Sequence, residues 1–346
     1  MDVEACFSRL NDMRIGVVGA GSWGTALANL LANKGCLVDL WVFEADVREA
    51  IETHHENPVF LPDIRLSENL RPSSDLKTVV SDKDLVLVVT PSHVMRAVSQ
   101  NMAPFLSSKT LVVSASKGIE NETCLTMTGV LQENLPHVPA DQFAVLSGPS
   151  FAGEVAHNVP TVVAVACRSR QAATLIQHVF ATPVFRVYTN SDVIGVELGG
   201  SVKNVIAIAA GIIDGMGMGL NTRAALITRG MAEIRRLGIQ MGANSHTFAG
   251  LAGFGDLILT CTGDLSRNHT VGKKLGQGIK LPEILSEMRM VAEGVKSSRS
   301  VYHLSRHLNV EMPISHAVYH VLYDDLSPKE AVYQLMTRDL KDEIEE

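Results

Sequence analysis

A lysine inside a stretch of almost wholly apolar and small residues is one that can move a proton, and residues 195–211 (GVELGGSVKNVIAIAAG) hold one, Lys203. At four-residue spacing Gly195, Gly199, Lys203, Ala207 and Gly211 form one slowly drifting helical stripe. Glycine weakens a helix interior, so this density calls for close approach by another backbone or a ligand. Two readings stand side by side. Lys203 faces a ligand as acid or base, or it snorkels to the surface beside a helix–helix contact. Lys117 is a second cation, directly after the apolar run Thr110–Ser114. Residues just past strand carboxyl ends face the ligand crevice of a doubly wound sheet, although a lone loop lysine is more often exposed. Gly148-Pro149-Ser150 ends a further run, and Ser150 is either a helix N-cap or a donor to a phosphate. Asp256, after Gly253-Phe254-Gly255, orients a lysine or substrate hydroxyl, or caps a helix. Ser266-Arg267-Asn268 matches phosphate-oxygen geometry through the arginine fork, or is a polar turn opening a helix.

A second motif says what the cations serve. Gly19-Ala20-Gly21-Ser22-Trp23-Gly24 fits G-x-G-x-x-G, follows the apolar run Arg14–Val18 and opens a helical pattern. Gly19 permits the tight turn, Gly21 lets backbone approach a pyrophosphate, and Gly24 lets helix pack on strand. The helix N-terminus then offers N–H groups and partial positive charge to phosphates. Glu44 ends the second apolar run, where it would accept hydrogen bonds from a ribose 2′-OH and favour NAD. Arg48, a helical turn on, could instead meet a 2′-phosphate, so NAD against NADP stays open. A nicotinamide cofactor implies hydride transfer, which needs an acid or base and substrate anchors beside it.

The elements that must position these residues divide the chain in two. Apolar runs at Arg14–Gly19, Leu37–Phe43, Asp84–Thr90, Thr110–Ser114, Phe143–Ser147 and Thr161–Ala166 alternate with helical patterns. They predict a parallel sheet covered on both faces. Beyond a short polar turn at Tyr188–Asp192 helices take over: Val193–Gly211, Thr222–Leu237, Pro282–Met288, Ser297–Leu308, Pro313–Leu322 and Pro328–Thr337. The expected fold class is α/β, with an N-terminal Rossmann-type doubly wound domain (14–190) and a C-terminal all-helical substrate domain (191–340).

Composition agrees with this plan. A chain of 346 residues has room for two domains with real cores. A net charge of −7 and 5% aromatics argue against nucleic acid or an anionic membrane as partner. Cys6, Cys36, Cys124, Cys167 and Cys261 are scattered without C-x-x-C spacing, as in a reducing compartment. No apolar h-region opens the chain, and Val205–Ile213 is too short to span a membrane, so a cytoplasmic location is expected. The pairs His303/His307 and His316/His320 lack the glutamate of H-E-x-x-H, and no metal site is expected.

At this level the chain resembles the NAD(P)-dependent glycerol-3-phosphate dehydrogenases of the soluble bacterial type. The carrying segments are GAGSWGTALA (19–28), PSH (91–93), SKG (116–118), SGPSFA (147–152), VELGGSVKNVIAIAAG (196–211), NTRAALITRG (221–230), GFGDLILTCT (253–262), SRN (266–268) and VAEG (291–294). The resemblance implies interconversion of sn-glycerol 3-phosphate and dihydroxyacetone phosphate with NAD or NADP, in supply of phospholipid synthesis. It implies Lys203 as acid/base, with Asn204 beside it. It implies a substrate site of Lys117, Gly148, Ser150, Asp256, Ser266, Arg267 and Asn268, and Ser22, Trp23, Lys117, Ala152, Arg267, Val291 and Glu293 along the cofactor. Many relatives carry His or Arg where this chain has Phe43 before Glu44, so an NADP preference is not inherited with the rest. Two alternatives are a two-domain 3-hydroxy acid or sugar acid dehydrogenase, which needs no phosphate anchors, and a non-catalytic dinucleotide sensor, which has no use for Lys203. A homodimer is expected, since apolar helical domains of this type often pair.

Overall fold

The computed structural model describes residues 13–288 and 292–343. The first half alternates strand and helix: β1 (Arg14–Val18), α1 (Ser22–Asn33), β2 (Leu37–Trp41) and α2 (Ala45–His54). A two-stranded ribbon of β3 (Glu56–Asn57) and β4 (Leu61–Arg65) leads to β5 (Leu70–Ser73) and α3 (Leu76–Val80). Next come β6 (Leu85–Val88), α4 (Met95–Met102), β7 (Leu111–Ser114), α5 (Met127–Asn134) and β8 (Phe143–Ser147). Then follow α6 (Ala152–Ala156), β9 (Thr161–Cys167), α7 (Arg170–Phe180) and β10 (Phe185–Asn190).

These strands form an 8-stranded sheet in the order β10-β9-β8-β7-β6-β1-β2-β5. From β5 to β8 every pairing is parallel, in the strand order of doubly wound dinucleotide-binding sheets. β6 and β8 are buried at every residue because helices cover both faces. Leu85 and Leu87 join Ile15 and Val17 in one core, while Val86 and Val88 join Val18 in the other.

Two expectations need correction. β9 runs antiparallel to β8, so the sheet is not parallel throughout. The connection between them stays at one end of the sheet, where the five-residue α6 packs on α1, and the chain re-enters from the end it left. Tyr188–Asn190, expected as a turn, belongs to β10, an edge strand whose partial exposure explains its polar sequence. The turn is confined to residues 191–192, where Asp192 caps the next helix by accepting the Gly195 N–H at 2.9 Å.

That helix, α8 (Val193–Gly215), is the axis of the second half. It is followed by α9 (Gly219–Gln240), α10 (Asp256–Thr262), α11 (Arg267–Gly276), α12 (Leu281–Ser286), α13 (Glu293–His307), α14 (Pro313–Tyr323) and α15 (Pro328–Met336). Helices α9, α10, α11, α13 and α14 all pack on α8, which is why its sequence is apolar all round. It is long and apolar enough to cross a membrane, but its apolar window is 100% buried as a core helix. The glycine stripe serves close packing. A Cβ at Gly211 would fall 2.1 Å from the His269 carbonyl oxygen of α11, and one at Gly199 2.3 Å from that of Ala252. Of the described cysteines, Cys36, Cys167 and Cys261 are buried and Cys124 partly so; Cys6 lies outside the described residues.

Candidate active site

The glycine loop sits at the carboxyl end of β1, beside β2, where the Gly19 N–H donates to the Trp41 carbonyl at 3.3 Å. Gly19 has φ +115°, and a Cβ on Gly24 would fall 1.9 Å from the Gly19 carbonyl oxygen, so strand and α1 meet without space for a side chain. Gly21 is the opposite case: nothing lies within 4 Å of where its Cβ would stand. Among the described residues no side chain caps α1, and the buried Trp23 indole N–H has no partner. An open approach, N–H groups at a helix start and an unsatisfied donor fit a dinucleotide's phosphates and polar edges. Glu44 occupies the N-cap position of α2 without capping it, while Arg48 is engaged by Glu52 at 2.9 Å. Ala152 opens α6, which packs against α1, and Val291 lies outside the described residues.

The cations converge on one carboxylate. Asp256 opens α10 after a π-helical turn, Leu251–Gly255, that swings it inward. Its Oδ1 lies 2.8 Å from Lys203 Nζ and its Oδ2 2.7 Å from Lys117 Nζ. The Lys203 side chain is 7% exposed and that of Lys117 19%, which rules out both the snorkelling and the free-loop readings. Lys117 reaches in from the loop after β7, and its ammonium also lies 3.4 Å from the Gly148 carbonyl.

Lys203 Nζ donates to Thr260 Oγ1, and Thr260 in turn donates to the Asp256 carbonyl at 2.6 Å. An ammonium has three N–H donors. Two are held by Asp256 and Thr260, and the third meets no acceptor among the described residues. Burial lowers the Lys203 pKa to about 8; Asp256 opposes the shift and the Lys117 cation adds to it. Thr260 was missed at the sequence level, though its place one turn after Asp256 put it on the same helix face.

The remaining candidates form contacts of their own. Asn204 Oδ1 accepts from Asn268 Nδ2 at 2.9 Å, and Asn268 Oδ1 accepts the Gly294 N–H at 2.8 Å. Arg267 stands at the start of α11 and makes no hydrogen bond or ion pair among the described residues, although it feels the charge of Glu293. The Glu293 carboxyl accepts the Ser92 hydroxyl at 2.7 Å, and burial raises its pKa. Ser266 caps α11 through the His269 N–H. Ser150 is not a helix cap: its hydroxyl turns back to the Gly148 carbonyl at 3.0 Å, and α6 starts only after Phe151. The paired histidines lie elsewhere, His316 with Ser305 at 2.8 Å and His320 with Asp324 at 2.7 Å.

Comparison with known proteins gives the cluster its context. The family described as NAD-dependent glycerol-3-phosphate dehydrogenase N-terminus matches residues 14–173, and its C-terminus counterpart matches residues 192–333. A glycerol-3-phosphate dehydrogenase [NAD(P)+] of Geobacter sulfurreducens is 57% identical over 330 residues, covering 95% of this chain and 98% of the relative. One from Syntrophobacter fumaroxidans is 56% identical over 331 residues, 96% of this chain and 97% of its own. The crystal structure of glycerol-3-phosphate dehydrogenase from Coxiella burnetii superposes with a TM-score of 0.91 at 40% identity, covering 94% of this chain and 99% of that one.

Proposed function

Since the chain belongs to the NAD-dependent glycerol-3-phosphate dehydrogenase family, we propose that its lysine–aspartate–lysine cluster carries the proton chemistry of that reaction. The protein is an NAD(P)-dependent oxidoreductase that interconverts sn-glycerol 3-phosphate and dihydroxyacetone phosphate. Neither a hydroxy acid dehydrogenase nor a cofactor sensor accounts for family matches over both halves.

Gly19, Gly21, Ser22, Trp23, Gly24, Glu44, Ala152 and Glu293 would hold the dinucleotide, with Lys117, Arg267 and Val291 at its edges. When bound, the nicotinamide supplies or accepts the hydride. The chain's own residues handle the proton and the charge. In the reductive direction negative charge grows on the substrate carbonyl oxygen, and Lys203 points its remaining N–H there and gives up the proton. In the oxidative direction neutral Lys203 takes the hydroxyl proton. A lysine with pKa about 8 serves both directions near neutral pH, which an ordinary exposed lysine does not. Asp256 holds both ammonium groups within 2.8 Å, so they stay in place whichever direction runs. Lys117, Arg267 and Asn268 are the anchors for the substrate phosphate, with Gly148, Ser150 and Ser266 shaping the loops around it.

The observation that carries this reading is the buried Lys203–Asp256–Lys117 contact. Its test follows NADH and NADPH absorbance with dihydroxyacetone phosphate. Lys203→Ala loses roughly 10²- to 10⁴-fold in kcat while NADH still binds. Near-normal turnover of the variant would remove Lys203 from the role. We further assign the enzyme to the cytoplasm, in supply of phospholipid synthesis, as a homodimer. The scattered cysteines, none in C-x-x-C spacing, support the compartment. The homodimer is the expectation for apolar helical domains that pair, and light scattering would test it.

A further inference from the structure

The two lysines come from different halves of the chain, and something must hold their backbones in register. Several polar contacts cross between the halves. Ser92 meets Glu293, the Thr128 N–H meets Glu197, and Ser300 meets the Ile119 carbonyl. One crossing differs in its position. Ser201 is two residues before Lys203 on α8, and Gly118 follows Lys117 directly. Ser201 is 3% exposed, and its Oγ accepts the Gly118 N–H at 2.9 Å. The same hydroxyl lies 2.8 Å from the Glu197 carbonyl and 3.2 Å from that of Gly118, so its own proton is also satisfied. On its other side Gly118 is confined: a Cβ there would fall 2.4 Å from Ser92 Cβ. The Lys117 loop is thus clamped between Ser92 and Ser201.

We propose that Ser201 is a positioning residue for the reaction, fixing the Lys117 backbone against the helix that carries Lys203. The clamp sets how close the Lys117 ammonium stands to Asp256 and Lys203. Lys117 is one of the charges that weaken proton binding at Lys203, so loosening the loop makes Lys203 hold its proton more tightly. It also displaces an anchor for the phosphate. Removing the hydroxyl leaves a buried Gly118 N–H without its acceptor, which drives the loop to move.

This proposal rests on Lys203 being the acid/base, so the experiment carries both. Glycerol 3-phosphate oxidation is measured across pH for wild type, Ser201→Ala, Lys117→Ala, the double variant and Lys203→Ala, with NADH affinity followed by fluorescence. Ser201→Ala is expected to move the midpoint up by about half a pH unit and to raise KM for glycerol 3-phosphate roughly three- to tenfold, with NADH affinity unchanged. In the Lys117→Ala background the same substitution adds nothing further, because its effect runs through Lys117. Ser201→Cys keeps the size with a weaker acceptor and carries the same test should Ser201→Ala not fold. An unchanged midpoint and KM in the folded variant overturns the proposal, as does full additivity with Lys117→Ala. If Lys203→Ala keeps its turnover, the acid–base reading itself fails; if it is inactive and the Ser201 profile is flat, only the positioning role fails.

Discussion

Asp256 decides how the two lysines behave. It is 1% exposed, and its negative charge is the main force keeping the Lys203 proton in place against burial. Asp256→Asn therefore moves the pH midpoint of glycerol 3-phosphate oxidation down, opposite to Lys117→Ala, and lowers kcat/KM at least about tenfold through repulsion between the lysines. Opposite shifts in the two variants' pH profiles would verify the sign; shifts in one direction would not fit. Thr260→Val removes an acceptor from Lys203 and leaves a buried N–H unpaired, with an expected loss of about tenfold in kcat. Lys203, Lys117 and Asp256 were legible because charged residues in apolar or glycine-rich surroundings stand out. That Asp256 binds both lysines was not legible, since Lys117 and Asp256 are separated by 139 positions and only the packed fold joins them.

At the scale of elements, the glycine loop was readable as a unit because each glycine has its own steric reason. Gly24→Ala puts a carbon where the Gly19 carbonyl oxygen lies, at 1.9 Å. The expected cost is about 1–3 kcal/mol, seen as a fall in Tm together with weaker NADH binding. Glu44→Gln tests cofactor choice: NADH affinity should fall about tenfold relative to NADPH, whereas an unchanged ratio would take Glu44 out of cofactor recognition. Strand β8 and helix α14 could be read to within a residue because a breaker or a proline bounds them. The direction of β9 could not, because buried parallel and antiparallel strands are the same apolar run. β10 was partly mistaken for a turn because an edge strand wears polar residues on its open side.

Across the whole molecule, the net charge of −7 coexists with a buried cluster in which Lys117 and Lys203 outnumber Asp256 in charge. The cluster exists only where the halves meet, since Lys117 follows β7 while Lys203 and Asp256 lie on helices of the second half. The same helical half contains a buried carboxyl that ties stability to pH. Glu233 on α9 accepts the Ile314 N–H at 2.6 Å and the Ser315 N–H at 3.0 Å at the start of α14. Burial pushes its pKa up to about 7, above its value in the unfolded chain. The folded state then holds a proton that the unfolded state has released, so this group costs stability as pH rises from about 4.5 to about 7, and the cost levels off above that. Glu233→Gln should accordingly gain Tm relative to wild type between pH 5 and pH 7.5; a constant difference across that range would contradict it.

The most direct measurement is chemical rescue of Lys203→Ala with small primary amines, read as dihydroxyacetone phosphate reduction under saturating NADH. Removing the side chain leaves space beside Asp256 and Thr260 for an ammonium of similar size. The account predicts that the variant is nearly inactive alone. Turnover should then rise with amine concentration and follow the amine's own pKa. Turnover near wild type without amine would contradict it, because the proton would then come from elsewhere.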